Sequence, residues 1–155
     1  MNKYSIEEFD EKKTKVLKYV LYKKRTEAEV RRKFSNVEDI ILDDIITYLK
    51  EEKYIDDVNY IKRAINEFVN INTLSIKEIK YKLQSKGLDC NLIEQYIDNN
   101  IDELLEYEKK SAKKLYSRKA NGSNDNDVIN FLLKKGYKIE NIKAILEEDV
   151  EWIVF

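Results

Sequence analysis

A chain of 155 residues fits one or two ordinary domains or a short repeat array. Its 29 Lys and Arg balance 30 Asp and Glu, and the net charge of −1 excludes a globally basic nucleic-acid binder, leaving only local basic surfaces for that role. There is no His, which removes the commonest general base and metal ligand and leaves catalysis a low expectation.

With no Pro and only three Gly, few residues interrupt a helix, so long helices with short connectors are expected. The first amphipathic stretch covers 9–22 and carries Val16, Leu17 and Val20. Thr26-Glu27-Ala28-Glu29 then reads as a capping box: the hydroxyl accepts from the backbone three residues on, and Glu29 reaches back. Ser75-Ile76-Lys77-Glu78 repeats the box 49 residues later, and Asn124-Asp125-Asn126-Asp127 falls a further 49 on. Inside these helices Val30, Ile79 and Val128 form one equivalent set, and Phe34, Leu83 and Leu132 another. Their i, i+4 separation places each pair on one helix face. Gly87 and Gly136, also 49 apart, stand where a left-handed residue ends a helix, and Asn36 is expected to serve the first unit.

Each connector leads into a third amphipathic run. These are Val37, Ile41, Ile45 and Leu49; then Leu88, Leu92 and Tyr96 with Ile93 and Ile97; then Ile142, Ile145 and Leu146. Leading stretches at 58–69 and 104–116 match the one at 9–22. The expected fold is therefore all-α, an elongated, curved array of three tandem three-helix repeats with about nine helices. The units are 5–54, 55–102 and 103–149, followed by an apolar tail at 150–155 with Trp152 and Phe155, read as a cap on the last unit in preference to a segment that docks on a partner. Repeat arrays present extended surfaces and bind rather than transform.

Two basic clusters stand out. Lys109, Lys110, Lys113, Lys114, Arg118 and Lys119 run without an intervening acid, and i, i+4 spacing makes them a stripe fit for phosphates or an acidic protein surface. Lys23, Lys24, Arg25, Arg31, Arg32 and Lys33 form the second, interrupted by Glu27 and Glu29. Lys77, Lys80, Lys134 and Lys135 occupy related places in the later units, so a repeated basic edge is expected. An ordinary solvated face competes with partner contact at every one of these positions. Asp56 and Asp57 read as a helix start rather than an acid–base pair. Most of the eleven Tyr, such as Tyr96 and Tyr116, fall at apolar helical positions, which favours packing over base stacking. No run of 18 apolar residues exists and residues 1–15 lack a signal peptide's apolar core, so a cytoplasmic protein is expected, in keeping with the single Cys90.

Four segments resemble the RecX family, bacterial regulators of the RecA recombinase. Lys24-Arg25-Thr26-Glu27-Ala28-Glu29-Val30-Arg31-Arg32-Lys33-Phe34 is similar to the family's basic-Ser-x-x-Glu-Leu-x-x-Lys-Leu start. Tyr54-Ile55-Asp56-Asp57 with Tyr60 is similar to its Tyr-Leu-Asp-Asp-x-x-Tyr-Ala stretch. Ile79 to Leu88, with Leu83, Lys86 and Gly87, is similar to Ile-x-x-x-Leu-x-x-Lys-Gly-Ile, and Phe131 to Tyr137 to Phe-Leu-x-x-Arg-Gly-Phe. The order and spacing hold over roughly residues 13 to 148, whereas the Gly common before the second unit's middle helix is missing around Thr73-Leu74-Ser75. The resemblance implies a non-enzymatic regulator without cofactors, lying in the groove of the RecA–DNA filament. There it would modulate, usually inhibit, ATP hydrolysis, filament extension and strand exchange in recombination, DNA repair and the SOS response. Single- or double-stranded DNA is a further candidate partner through the basic patches, no membrane partner is implied, and a monomer is expected. The alternatives are a DNA-binding protein acting without RecA and a generic helical adaptor.

Overall fold

The computed structural model describes residues 4–119 and 124–154, with side chains described through 147. Among the described residues the chain forms helices only, in the order α1 Ile6–Tyr22, α2 Glu27–Lys33, α3 Asp39–Glu51, α4 Asp57–Ile71, α5 Ile76–Ser85, α6 Cys90–Asn99, α7 Ile101–Lys119, α8 Asp125–Lys135 and α9 Ile139–Val154.

Local chemistry sets the starts. Both expected capping boxes form: Thr26 Oγ1 accepts from Glu29 N at 3.1 Å while Glu29 receives the Thr26 N–H, and Ser75 and Glu78 do the same. Asn124 caps α8 through Asn126 N at 3.0 Å. Ser5, Asp56 and Asp89 cap α1, α4 and α6. Each such bond satisfies a backbone donor that a helix start leaves open and is worth about 1 kcal/mol.

The helix ends differ in part from expectation. Gly87 and Gly136 are left-handed, at φ +80° and +97°. Asn36 is not; α2 closes at Phe34, and Val37 N donates to the Phe34 carbonyl in a tight turn. Left-handed residues appear instead at Asn72 (φ 61°) and Lys53 (φ 63°). At Lys53 the Tyr54 N–H reaches back to the Leu49 carbonyl at 2.8 Å, the six-to-one bond of a Schellman end, which normally favours Gly.

The apolar faces bury into three clusters in chain order. Val16, Val20 and Val30 pack with Ile41, Ile45 and Leu49 of α3. Ile61 and Ile65 pack with Ile79, Leu83, Ile93 and Ile97, and Leu104 and Tyr107 of α7 join them. Ala112, Val128, Leu132, Tyr137, Ile142 and Ile145 make the third. Full burial of one such aliphatic side chain contributes about 1.5–3 kcal/mol. In α6 the deepest residues are Ile93 and Ile97, with Leu92 and Tyr96 half-buried at the flank. The backbone of Trp152 lies in α9, while its side chain and Phe155 lie outside the described residues, as does the expected capping role of that tail.

The middle helices meet end to end. The Thr26 hydroxyl, already an acceptor for its own helix, donates to the carbonyl of Lys86 at 2.8 Å. Ser75 donates likewise to the carbonyl of Lys135 at 2.7 Å. Each partner lies 60 residues on, at the last turn of the next unit's middle helix. A Cβ built on Gly87 would fall 2.3 Å from the Cβ of Ala28, and one on Gly136 would fall 2.8 Å from the Cβ of Lys77. Glycine is therefore required twice over, for its dihedral angle and for the close approach.

Candidate functional site

The basic side chains divide between those held by the fold and those left to solvent. Arg31 bonds Glu27 at 3.0 Å and Asp43 at 2.7 Å, and Lys50 also pairs with Glu27. Lys80 pairs with Glu94 at 3.0 Å, Lys135 with Glu78 at 3.1 Å and Lys109 with Glu106 at 3.2 Å. Lys114 donates to the Ile71 carbonyl at the end of α4, and the Lys119 ammonium sits 3.6 Å from the centre of the Phe131 ring. Lys33 lies 6.0 Å from the Tyr19 ring. Lys23, Lys24, Arg32, Lys77, Lys110, Arg118 and Lys134 are exposed, although the stem of Lys77 covers Gly136, and Lys113 is exposed but engaged with a neighbour. Thus α7 carries one continuous stripe in sequence but two kinds of cation in space.

The clearest concave basic surface lies where the first unit meets the second. A cleft of about 470 Å³ opens between the α1–α2 link (Lys23, Lys24, Arg25), the α3–α4 link (Lys53, Tyr54, Asp56) and the exposed side of α4, with Tyr60 and Arg63. Arg25 is held in place, its guanidinium 4.0 Å from the centre of the Tyr19 ring and its Nε donating to the Tyr19 carbonyl at 3.4 Å. Sequence reasoning found Lys23, Lys24 and Arg25 but missed Lys53, Tyr54 and Arg63. Only the left-handed turn at Lys53 and the packing of α4 bring them alongside.

The equivalent place between the second and third units is built differently. On α7, Tyr107, Ser111 and Lys114 share a face at i, i+4 and i+7. The Tyr107 hydroxyl donates to the Leu74 carbonyl at 2.7 Å, Ser111 to the Asn72 carbonyl at 3.2 Å, and Lys114 to Ile71. The shallower hollow beside them is lined by Asp102, Glu103 and Glu106 with Lys110. Beneath lies a buried polar cluster. Ser111 and Tyr137 share a hydrogen bond of 2.6 Å, and the Glu108 carboxylate, 0% exposed, accepts from Lys138 N at the start of α9.

Burial sets the protonation behaviour here. It pushes the Glu108 carboxyl above its ordinary value, against the pull of the Lys138 backbone donor. The Tyr137 phenol is raised for the same reason. Asp57 is raised by burial although it accepts from Glu27 N at 3.1 Å, so it serves α2 of the preceding unit rather than acid–base chemistry. For Glu27, burial works upward but is outweighed by hydrogen bonds from Lys50 and Arg31, and the carboxyl ends below the usual range. Each of these carboxylates is engaged in joining helices. Among the described residues no group of three or more His, Cys, Asp or Glu is placed to hold a metal ion, and no helix is long and apolar enough to cross a membrane.

No family model matches the chain. Individual relatives do. It is 32% identical over 140 residues to the regulatory protein RecX of Finegoldia magna, covering 83% of this chain and 67% of that one. Identity to RecX of Staphylococcus epidermidis is 27%, covering 93% and 57%, and to RecX of Staphylococcus aureus 28%, covering 86% and 51%. The chain thus spans about half to two thirds of the length of these relatives. The crystal structure of RecX from Lactobacillus salivarius superposes with a TM-score of 0.78 at 27% identity, covering 93% of this chain and 97% of that one. A second RecX crystal structure, at 23% identity and a TM-score of 0.75, shares the fold. With the shared helical array, the four matching segments and a relative at 32% identity over most of both chains, this chain belongs to the RecX family of regulatory proteins.

Proposed function

We propose that this chain regulates the RecA recombinase without catalysing a reaction of its own, binding as a cytoplasmic monomer in the groove of the RecA–DNA filament. There it holds back ATP hydrolysis, filament extension and strand exchange. Membership of the RecX family carries this reading. The form of the molecule supports it, since units 5–54, 55–102 and 103–149 joined end to end offer successive contacts to a filament that is itself a repeat. Exposed cations at Lys24, Lys77, Lys110, Arg118 and Lys134 supply charge for DNA phosphates or acidic protein surfaces along that groove.

DNA-stimulated ATP hydrolysis by RecA, measured with substoichiometric to equimolar amounts of this protein, tests the reading. Hydrolysis is expected to fall with added protein, and unchanged hydrolysis and filament assembly would overturn it. Charge reversal at Lys109, Lys113 and Arg118 is expected to weaken the effect while leaving the helical signal and melting unaltered. Full regulation by that variant would remove the α7 stripe from the interface.

A further inference from the structure

The two unit junctions are built on one pattern, and the first lacks its seal. Tyr107-x3-Ser111-x2-Lys114 on α7 corresponds by spacing to Tyr60-x3-Ala64-x2-Glu67 on α4, with the buried faces Glu108/Ala112 and Ile61/Ile65 in the same register. At the second junction Tyr107, Ser111 and Lys114 bond the carbonyls of Ile71, Asn72 and Leu74. At the first, Ala64 has no donor and Glu67 would repel a carbonyl. The link preceding Thr26, which corresponds to the sealed Asn72-Thr73-Leu74 link, is Lys23-Lys24-Arg25 and lines an open cleft. Where the first junction lacks these bonds, its lining is basic. Five cations, Lys23, Lys24, Arg25, Lys53 and Arg63, face two carboxylates, one of which, Asp56, is held by capping α4.

Lys53 adds an independent observation. It occupies the left-handed end of α3, where Gly fits without strain and a side chain is less at ease, yet a Lys stands there and lines the cleft as well as the hollow beside Glu27 and Gly87. Two aromatic rings complete the lining: Tyr54, 37% exposed, and the half-buried Tyr60. A volume of about 470 Å³ lies within the range of small-molecule sites.

We infer that this cleft binds a nucleotide unit, its phosphate held by Lys24, Arg25, Lys53 and Arg63 and its base laid against Tyr54. Lysine and arginine together suit a phosphate, with Arg25 already fixed over Tyr19. The rings favour a nucleotide over a peptide carboxylate, because a base gains from stacking and a carboxylate does not. The same chemistry is offered by a nucleotide within a single strand and by a free one. The hollow at the second junction, lined by Asp102, Glu103 and Glu106, repels the same ligand.

The test uses the whole chain and no RecA, so its outcome is separate from that of the proposed function. Binding of a fluorescein-labelled oligodeoxythymidine is followed by anisotropy, with ATP, thymidine monophosphate and polyglutamate as competitors. Lys53→Gly and Arg63→Glu are each expected to weaken binding by about tenfold or more, as for loss of a charge-assisted contact. Lys82→Glu, at an exposed cation on α5 outside the cleft, leaves binding unchanged. Because Gly relieves the left-handed strain, Lys53→Gly melts no lower than the parent, which separates lost binding from lost fold. Displacement by ATP or thymidine monophosphate assigns the site to free nucleotides, and resistance to them with binding of the strand assigns it to single-stranded nucleic acid. Unchanged affinity in both cleft variants, or displacement by polyglutamate as effective as by nucleotides, would overturn the inference.

Discussion

The junction between the first and second units and the junction between the second and third use the same two contacts and differ in the polar and charged side chains beside them. In both, a buried hydroxyl caps one helix while donating to the carbonyl end of another, and a left-handed Gly allows the backbones to touch. Around that shared contact, the second junction carries bonded hydroxyls and a buried carboxylate beside an acidic hollow, and the first carries a basic cleft. The contact that joins the units and the surface beside it are thus set by different residues, so one can change while the other is kept.

The largest expected effect probes the shared contact. Gly87→Ala forces a Cβ to within 2.3 Å of the Ala28 Cβ at a φ of +80°, and stability is expected to fall by about 3 kcal/mol in chemical denaturation. Gly136→Ala meets the Lys77 side chain, part of which can swing aside, and about 2 kcal/mol is expected. Equal losses would mean that the dihedral angle and not the neighbour sets the cost.

Next come the hydroxyls. Thr26→Val keeps the shape but leaves the Lys86 carbonyl and the Glu29 N–H without their partner in a site that is 0% exposed, at a cost of about 2 kcal/mol. Ser75→Ala should cost a similar amount by thermal melting. A loss much below 1 kcal/mol at either position would show that water replaces the hydroxyl there.

A subtler difference concerns pH. Because burial raises the Glu108 carboxyl, the folded chain takes up a proton there more readily than the unfolded one. This group therefore adds stability as pH falls from its shifted value toward the ordinary 4.5, and costs stability above that window. Glu108→Gln should melt at least as high as the parent at neutral pH, and the difference should shrink in acid. A variant that melts lower at neutral pH would show that the ionised form is the one the junction needs. The smallest effect belongs to the half-exposed pair Lys135–Glu78, where Lys135→Met should change stability by less than about 1 kcal/mol and lose what effect it has in high salt.

The helical array and its capped starts were legible in the sequence because their signals are local. A cap, an i, i+4 pair and a terminal Gly all lie within a dozen residues, and the 49-residue recurrence of Thr26 and Ser75 reinforced them. The second role of those hydroxyls was not legible, since the carbonyls of Lys86 and Lys135 come near only when the units stack. A clue was present: each Gly stands 61 residues after a cap. Asn36 and Lys53 show the limit of turn chemistry. Asn36 was favoured for the end of α2, which closes in a tight turn at Phe34 instead, while left-handed ends fall at Asn72 and, against residue preference, at Lys53. The basic stripe of α7 was legible as a sequence run, but which of its members the fold occupies depended on carbonyls and rings of other helices, at Ile71 and Phe131.

The end-to-end meeting of the middle helices gives the array a direction. The carbonyl end of α8 abuts the amide end of α5, and the carbonyl end of α5 abuts that of α2, so their dipoles attract at each meeting. The two outer ends then differ in sign of side-chain charge, with Asp125 and Asp127 at the start of α8 and Arg31, Arg32 and Lys33 at the close of α2. A strand or a filament also has a head and a tail. A partner with such polarity, laid along this array, would meet unlike electrostatic ends in its two orientations.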